Sequence, residues 1–392
     1  MKKPRKIKRY TRIYRTRKQV RRASALKIVI LVLVLAALVF VGYSVAGPVM
    51  DFFSGNMKPS VSSESLDDSA SDLLSSSESS SSSSEPDAEK TLVAVTVPSA
   101  TLRDTAAFEG FLQQAKQQGA TAVLIELKNE DGILQYRSSV PQAATYGAVA
   151  ADAVDLAPLM QIAQQQDIAV IAKLNAFKDK TAPNASRDNG YLYEGSTSAW
   201  WDNTPENGGK PWLNPYKQAA CDYLIALQNE LADAGITQLV WDKVEFPEVS
   251  RLSSADFGPE AEGVSQQQAL ENFVQRSSSE AAQRGMKVWV SYPASAAFGV
   301  NAGWFGDSNP AQWGSVQNAA PVLDFSSFGA AAEIGGVQVD MSDRAAATTA
   351  IVTQLQTMIG AGKELAPVIV DETDLAAVSQ ALEAMGISQR IS

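Results

Sequence analysis

The side chains available for acid–base chemistry in this chain are carboxylates, lysines and tyrosines, because its 392 residues include no His and one Cys. A chain without His cannot build a Ser-His-Asp triad, a Cys-His dyad or a His-ligated zinc site. A single Cys also excludes an intrachain disulfide and a Cys-rich metal site. Cys221 lies in an apolar helical pattern, so we interpret it as a small core residue. Any acid–base catalysis must therefore use Asp, Glu, Lys or Tyr.

Polar side chains gather at the ends of the predicted strands. In the second strand candidate Val123, Ile125 and Leu127 share one face, and Glu126 and Lys128 share the other. The other late polar residues are Lys173 and Asn175 in the third strand, Asp242 in the fourth, Asp324 in the sixth and Asp371 in the seventh. This placement is typical of a polar mouth above an apolar barrel. The alternative is that pairs such as Glu126 and Lys173 form structural ion pairs.

Short apolar runs that alternate with longer amphipathic runs position these residues. The predicted strands are 92–97, 122–127, 168–174, 237–244, 287–292, 322–327, 366–371 and 387–391. The predicted helices are 104–118, 155–166, 217–234, 266–284, 343–359 and 374–385. This alternation indicates parallel β-α-β units, and eight strands predict an α/β fold, a (β/α)8 TIM barrel, over residues 91–392. An open doubly wound sheet is the alternative, although no strand is followed by a Gly-rich nucleotide loop.

The N-terminal part of the chain predicts a membrane anchor. Residues 1–27 contain 13 Lys or Arg and no acid, and residues 28–47 form an apolar run of 20 residues, long enough to span a bilayer. The positive-inside rule then places the basic tail in the cytoplasm and the barrel outside, in a single-pass protein of the cell membrane. The alternative is a cleaved signal peptide, because Ser44-Val45-Ala46 loosely resembles a cleavage site.

Residues 48–90 predict a disordered linker between the membrane and the barrel. Fifteen of the 25 residues from 60 to 84 are Ser, mixed with Asp and Glu, and such a stretch cannot bury enough apolar surface to fold. The chain carries a net charge of −10 although its tail is strongly basic, so its body is acidic. An acidic body argues against nucleic acid as a partner, and the position of the basic tail favours anionic lipid.

Aromatic side chains are concentrated in the long predicted loop after the third strand. They include Trp200, Trp201 and Trp212. Aromatic faces around a polar, acidic cleft are typical of proteins that bind sugar rings. The alternative is that these tryptophans pack the loop into a small core of its own.

Glycoside hydrolysis is one of the few common hydrolytic reactions open to this composition, because it requires only two carboxyl groups. We predict no cofactor and no metal site, although a site for Mg²⁺ or Ca²⁺ made of carboxylates alone stays open. Residues 129–132, Asn-Glu-Asp-Gly, form a turn signal rather than a calcium loop.

Four segments together resemble a known family. They are LIELKNEDGILQY (124–136), VIAKLNAFKD (170–179), WLNPY (212–216) and WDKVEFP (241–247). In this order they resemble the glycoside hydrolase-type TIM-barrel domain of bacterial surface proteins, a family long classed as a domain of unknown function. The resemblance spans about residues 92–300. It implies a barrel that acts on glycans, with Asp242 as the carboxylate of the fourth strand.

The chain departs from the family pattern at several positions. Lys243 and Glu245 replace a Tyr and an Arg of the family's fourth-strand motif, Glu126 replaces an Asp, and Lys173 replaces an Arg. Residues 291–299, after the fifth strand, lack the acid that the family carries there. The second carboxylate is therefore not fixed by the resemblance.

We predict a membrane-anchored, extracytoplasmic glycoside hydrolase that acts on a cell-envelope or exogenous glycan. Asp242 would serve as nucleophile or base and Glu245 or Glu126 as general acid, although three residues beyond Asp242 the strand face reverses and turns Glu245 away. Lys128 and Lys173 would orient the carboxylates. The substrate-binding residues would be Lys128, Lys173, Asn175, Trp200, Trp201, Trp212, Asp324 and Asp371. The alternative is a non-catalytic glycan-binding or scaffold module, which a second carboxylate about 5–10 Å from Asp242 would argue against.

Overall fold

Eight parallel strands close into a barrel in the computed structural model, which describes residues 92–247 and 249–392. The strands are β1 (Val93–Thr96), β2 (Ala122–Lys128), β3 (Ala169–Asn175), β4 (Gln238–Asp242), β5 (Lys287–Pro293), β6 (Asn318–Leu323), β7 (Glu364–Leu365 and Val368–Ile369) and β8 (Arg390–Ile391). Each strand pairs in parallel with the next, and β8 pairs with β1 through Ala94 and Ile391. The predicted (β/α)8 architecture is confirmed, and the alternative of an open sheet is wrong.

Six longer helices surround the barrel. They are α1 (Thr105–Gln117), α2 (Leu156–Gln165), α3 (Gln218–Asp233), α4 (Gln266–Ala282), α5 (Arg344–Ile359) and α6 (Leu375–Ala384). Asp104 begins α1 as predicted, because its carboxylate accepts hydrogen bonds from the N–H groups of Ala106 and Ala107. The apolar stripes of the helices pack against the outward side chains of the strands in one large core.

Shorter elements fill the connections. Three short helices are Pro141–Thr145, Thr181–Ala185 and Val249–Leu252. Leu134–Tyr136 and Val149–Val154 extend the sheet beside β2, Leu192–Tyr193 pairs with Ala255–Asp256, and Ala331–Ile334 forms a hairpin with Val337–Asp340. The sequence pattern did not predict these strands, which are two to six residues long.

Small side chains around one tryptophan fill the inside of the barrel. Trp289 of β5 packs with residues from the other strands: Leu92, Ala94, Ala122, Leu124, Ile171, Val240, Ala320, Ala366 and Ile391. At the N-terminal end Trp289 is held by Gln238, whose side chain accepts a hydrogen bond from the indole, and by Lys287, which lies over the ring. Because the interior is filled, only its C-terminal mouth is open for chemistry.

Two strand predictions need correction. Strand β6 begins at Asn318 and ends at Leu323, whereas 322–327 was predicted, because Ala319, Ala320 and Pro321 have low strand propensity and are held by burial instead. Strand β7 is interrupted at residues 366 and 367. Between β5 and β6, where every residue is described, the chain forms only 3₁₀ turns: Ala294–Phe298, Ala302–Phe305 and Pro310–Gln312.

The predicted basic tail, transmembrane helix and linker, residues 1–90, lie outside the described residues. Within residues 92–247 and 249–392, no helix has both the length and the apolar character needed to cross a bilayer.

Candidate functional site

Three predicted residues meet at the C-terminal mouth of the barrel. Glu126, Lys173 and Asp242 follow the inward-facing residues Leu124, Ile171 and Val240 by two positions in each strand, so all three project inward. The Nζ atom of Lys173 lies 3.3 Å from Oε1 of Glu126 and 3.0 Å from Oδ2 of Asp242. The predicted ion pair is therefore present, and it links strands β2, β3 and β4.

Lys173 is the positive centre of this cluster. Burial of its side chain lowers its pKa, but the carboxylates of Asp242 and Glu126 outweigh burial, so the net effect raises the pKa of Lys173. Asp242 is also held from its other side, since the backbone N–H of Lys243 donates to Oδ1 at 2.9 Å. Both carboxylate oxygens of Asp242 are thus fixed in position.

Glu245 lies in the segment where the backbone turns directly after Asp242. Lys243 has a φ of 54°, a left-handed conformation that ends β4 and removes the strand alternation on which the predicted reversal of Glu245 depended. The Glu245 side chain is buried, with 6% of the residue exposed. Glu245 interacts electrostatically with both Asp242 and Lys243. Strand alternation therefore does not decide which way Glu245 faces.

Burial sets the protonation of Glu245. It raises the pKa of this carboxyl to about 7, an effect that the positive charge of Lys243 opposes and the negative charge of Asp242 reinforces. Among the described residues its carboxylate accepts no hydrogen bond. Glu245 is therefore a carboxyl group that can hold a proton near neutral pH beside the carboxylate of Asp242.

Lys128 does not take part in the cluster. A bulge between Glu126 and Lys128, opposite Lys173 and Leu174 of β3, takes Lys128 out of the predicted alternation. Its side chain is fully buried and pairs with Asp179, with 2.9 Å between Nζ and Oδ2. Burial lowers the pKa of Lys128 although Asp179 opposes the shift. The predicted role of Lys128 in orienting the mouth carboxylates is not supported by this geometry.

Asn175 lies at the floor of the mouth as predicted. Its side-chain amide donates to Oε1 of Glu126 at 3.2 Å and to the backbone carbonyl of Lys128 at 2.9 Å. Its own carbonyl oxygen, Oδ1, is buried without a hydrogen-bond partner among the described residues. Asn175 therefore positions Glu126 and leaves one polar atom unsatisfied beside it.

Sequence reasoning missed the charges around Glu130. The carboxylate of Glu130 lies 2.5 Å from Nζ of Lys178 and 3.6 Å from Nζ of Lys243. Burial raises the pKa of Glu130, but the hydrogen bond from Lys178 and the charges of both lysines outweigh it and lower the pKa. The turn signal directly after β2 could have placed Glu130 at the mouth.

The three predicted aromatic residues differ in burial. Trp200 is fully buried, packs against Tyr191 and donates its indole N–H to the carbonyl of Arg251, which fits the packing alternative. Trp212 is almost completely buried and donates to Asp202. Trp201 is half-buried, which leaves it the most accessible of the three.

Asp324 and Asp371 lie on the other side of the mouth, in the turns after β6 and β7. The carboxylate of Asp324 accepts hydrogen bonds from the N–H and hydroxyl of Ser326. Asp371 is exposed, and the hydroxyl and N–H of Thr373 lower its pKa. Each carboxylate stabilises its own turn. Across residues 92–247 and 249–392, no group of three or more Asp, Glu, Cys or His side chains is arranged to hold a metal ion.

Two carboxyl groups with different surroundings lie three residues apart in sequence at the end of β4. Asp242 is bonded to an ammonium group, and Glu245 keeps a proton near neutral pH. A carboxylate and a protonated carboxyl group are the two parts that acid-assisted cleavage of a glycosidic bond requires.

Comparisons with known proteins identify the family and the fold of the chain. The family described as "putative glycosyl hydrolase domain" matches residues 94–307, more than half of the chain. The family resemblance seen in the sequence is confirmed. No curated protein matches the chain in sequence.

Solved structures share the barrel at low sequence identity. The glycoside hydrolase domain of PgaB (BpsB) from Bordetella bronchiseptica is 11% identical, with a TM-score of 0.50 over 76% of this chain and 92% of that one. A hypothetical protein from Ruminiclostridium thermocellum is 20% identical, with a TM-score of 0.43 over 50% of this chain and 96% of its own. A GH20 exo-β-N-acetylglucosaminidase from Vibrio harveyi is 9% identical, with a TM-score of 0.45, and this chain spans only 41% of that enzyme. The first of these likenesses supports the fold alone.

Proposed function

This chain belongs to the family described as putative glycosyl hydrolase domains, and on that premise we propose that it is a membrane-anchored, extracytoplasmic glycoside hydrolase. Its substrate is a cell-envelope or exogenous glycan, which it cleaves with paired carboxyl groups. The observation that carries the proposal is the contrast between Asp242 and Glu245: one is paired with Lys173, and the other is buried with a pKa of about 7.

Glu245 acts as the general acid. A general acid must hold its proton until the bond breaks, so a pKa near the working pH is favourable. Glu245 donates its proton to the glycosidic oxygen, and the leaving sugar departs with a free hydroxyl group. Lys243, half-buried beside it, stabilises the carboxylate that remains.

As a nucleophile, Asp242 bonds to the anomeric carbon while the leaving group departs, and water deprotonated by Glu245 then hydrolyses this glycosyl-enzyme bond. As a base, Asp242 removes a proton from the water that displaces the leaving group at the anomeric carbon directly. Its oxygens are held by Lys173 and by the N–H of Lys243, so little reorganisation is needed when the substrate binds. Glu126 shares Lys173 with Asp242 and helps to position that ammonium group.

The cellular location is part of the proposal. Residues 28–47 anchor the chain in the cell membrane and residues 48–90 separate the barrel from it, with the basic tail in the cytoplasm. This support comes from the sequence, and a barrel outside the cell would meet envelope glycans directly.

The test replaces Asp242 with Asn, which keeps the shape and removes the charge. Release of reducing sugar from purified cell-envelope glycan and from soluble polysaccharides should fall by about 10²–10⁴-fold, the usual contribution of a positioned acid or base. The matched control is Asp155→Asn at an exposed carboxylate on the barrel exterior, which should hydrolyse as fast as wild type.

Three results would contradict parts of the proposal. Equal hydrolysis by Asp242→Asn and wild type would remove Asp242 from the chemistry. Retention of glycan by a wild-type protein that never releases sugar would favour the glycan-binding module. An Asp242→Asn variant that loses about 1–3 kcal/mol of stability, while its activity per folded molecule is unchanged, would make the pair with Lys173 purely structural.

A further inference from the structure

A cavity with several polar side chains in its wall lies beside the mouth, on the side of β6 and β7. It has a volume of about 600 Å³ and is lined by side chains that follow β6 and β7, together with the base of the hairpin 331–340. The lining residues used here are Phe325, Ser326, Asp340, Ser342, Arg344 and Asp374. Because Phe325 and Asp374 lie in the connections that follow the C-terminal ends of β6 and β7, the cavity opens on the same end of the barrel as Asp242.

An arginine–aspartate pair forms one wall of this cavity. Nε of Arg344 lies 2.7 Å from Oδ1 of Asp374, and Nη1 of Arg344 donates to the carbonyl of Met341. The guanidinium group also lies 4.8 Å from the centroid of the Phe325 ring. These contacts fix the guanidinium plane, and Asp374 is 8% exposed.

The pair still has hydrogen-bonding capacity to offer a ligand. Among the described residues, Nη2 of Arg344 and Oδ2 of Asp374 have no hydrogen-bond partner, so a donor and an acceptor are left beside one another. Ser326 and Ser342 add hydroxyl groups whose protons are engaged by Asp324 and Asp340. Their oxygens remain available as acceptors.

The charged side chains that line the cavity indicate which class of ligand it can bind. Asp340 and Asp374 outnumber Arg344, so an anionic ligand would be repelled, while the fixed guanidinium group disfavours a metal ion. A polyhydroxylated neutral ligand fits, because adjacent hydroxyl groups can donate to the carboxylate and accept from the guanidinium at once. The volume is within the range of small-molecule sites, about 300–1,000 Å³.

We propose that this cavity is a distal sugar subsite, which binds a unit of the glycan remote from the bond that is cleaved. The inference rests on the proposed function. Strands β4 and β7 are three strand spacings apart around the barrel, about 14 Å along the wall. A single sugar ring does not span that distance, so the substrate class is an oligosaccharide or polysaccharide chain.

The test obstructs the cavity without touching Asp242 or Glu245. Ser342 is exposed at the rim, and Ser342→Trp should block the cavity while the fold is kept. The matched control is Ser279→Trp, an exposed position on the outer face of α4. Arg344→Lys is the second variant, because lysine keeps the charge and loses the planar donor set.

Binding of the full chain in detergent is measured on arrays of oligosaccharides of one to eight units, derived from chitin, cellulose and peptidoglycan. KM and kcat are measured for those oligosaccharides that are cleaved. Wild type and Ser279→Trp should bind chains of four or more units at least about tenfold more tightly than dimers. In Ser342→Trp and Arg344→Lys this preference should be lost through a rise in KM for the longer chains.

The two proposals fail in different ways. A wild type that hydrolyses glycan, with variants that keep the same length preference, overturns the subsite alone. A wild-type protein that binds long and short oligosaccharides equally well also overturns the subsite proposal. A wild type that neither binds nor hydrolyses any of these glycans overturns both proposals.

Discussion

Glu245 is a carboxyl group whose surroundings favour its neutral form. Its side chain is buried, and the negative charges of Asp242 and Glu130 add to the effect of burial, while Lys243 and Lys178 oppose it. Such a group is expensive to ionise in the folded state, so its titration should be visible in protein stability even where no substrate is known.

The first prediction at this scale concerns the pH dependence of stability. Glu245 binds its proton more tightly in the folded chain, at a pKa of about 7, than at the ordinary value of 4.5. The free energy of unfolding should therefore fall as the pH rises from about 4.5 to about 7, by up to about 3 kcal/mol. Glu245→Gln should flatten this part of the profile, as measured by urea denaturation at pH 4 to 8.

The pH dependence of activity tests the same titration of Glu245. If Glu245 is the general acid, kcat/KM of wild type should decline above about pH 7, because the proton that it donates is lost. Glu109→Gln, on the exposed face of α1, is the control and should keep both profiles. A stability profile that is the same in Glu245→Gln and in wild type would show that Glu245 does not titrate in this range.

Strand alternation decided which site residues were predictable. Glu126, Lys173 and Asp242 lie within regular strands, so the period of two was enough to bring them together. Lys128 and Glu245 lie beyond a bulge and a left-handed residue, respectively. Neither irregularity leaves a mark in the hydrophobic pattern, so the predicted face of Lys128 was wrong and strand alternation did not apply to Glu245.

At the scale of elements, the turn after β2 is held against the loop after β3 by an ion pair and a close backbone contact. Asp179 pairs with the buried Lys128 and accepts hydrogen bonds from the N–H groups of Thr181 and Ala182. Gly132, with a φ of 83°, packs so closely against Asp179 that any side chain at 132 would collide with its carboxylate. These contacts also set the position of Glu130 at the mouth.

These contacts predict different effects for two glycine substitutions. Gly119 has a similar φ, 86°, and open space around it, so Gly119→Ala measures the backbone strain alone. Gly132→Ala adds a collision that displaces Asp179 from Lys128 and strands a buried charge. We expect it to be at least about 2 kcal/mol less stable than Gly119→Ala in urea denaturation. Equal losses would show that the contact with Asp179 does not matter for stability.

Elements were predictable where apolar residues alternate clearly. The six longer helices match their predicted ranges to within two residues at each end, because most have an apolar stripe and most begin or end at a capping residue. Strand β6 was displaced because its first half is Asn-Ala-Ala-Pro, which only tertiary packing against Trp289 can hold as a strand. The two-residue strands carry too few residues for any period to be seen.

At the scale of the whole molecule, charge is distributed unevenly along the chain. Thirteen of its 33 Lys and Arg residues lie within residues 1–27, directly before the apolar run 28–47, while all 43 Asp and Glu residues follow. A basic segment on one side of an apolar run of this length favours a fixed orientation across the membrane. On this prediction the acidic barrel lies outside the cell.

Topology is testable with external protease on spheroplasts that express the full chain with an epitope at its N-terminus. The predicted linker, residues 48–90, should be cut readily because its Ser-rich composition cannot bury a core. The barrel should therefore disappear from the cell-bound fraction, while a fragment that contains the epitope and residues 28–47 stays protected. A cytoplasmic marker protein must remain intact as the control. If the barrel survives protease in intact spheroplasts, the barrel is cytoplasmic and has no access to envelope glycans. If a soluble barrel that begins near Gly47 is recovered, residues 28–47 belong to a cleaved signal peptide and not to an anchor.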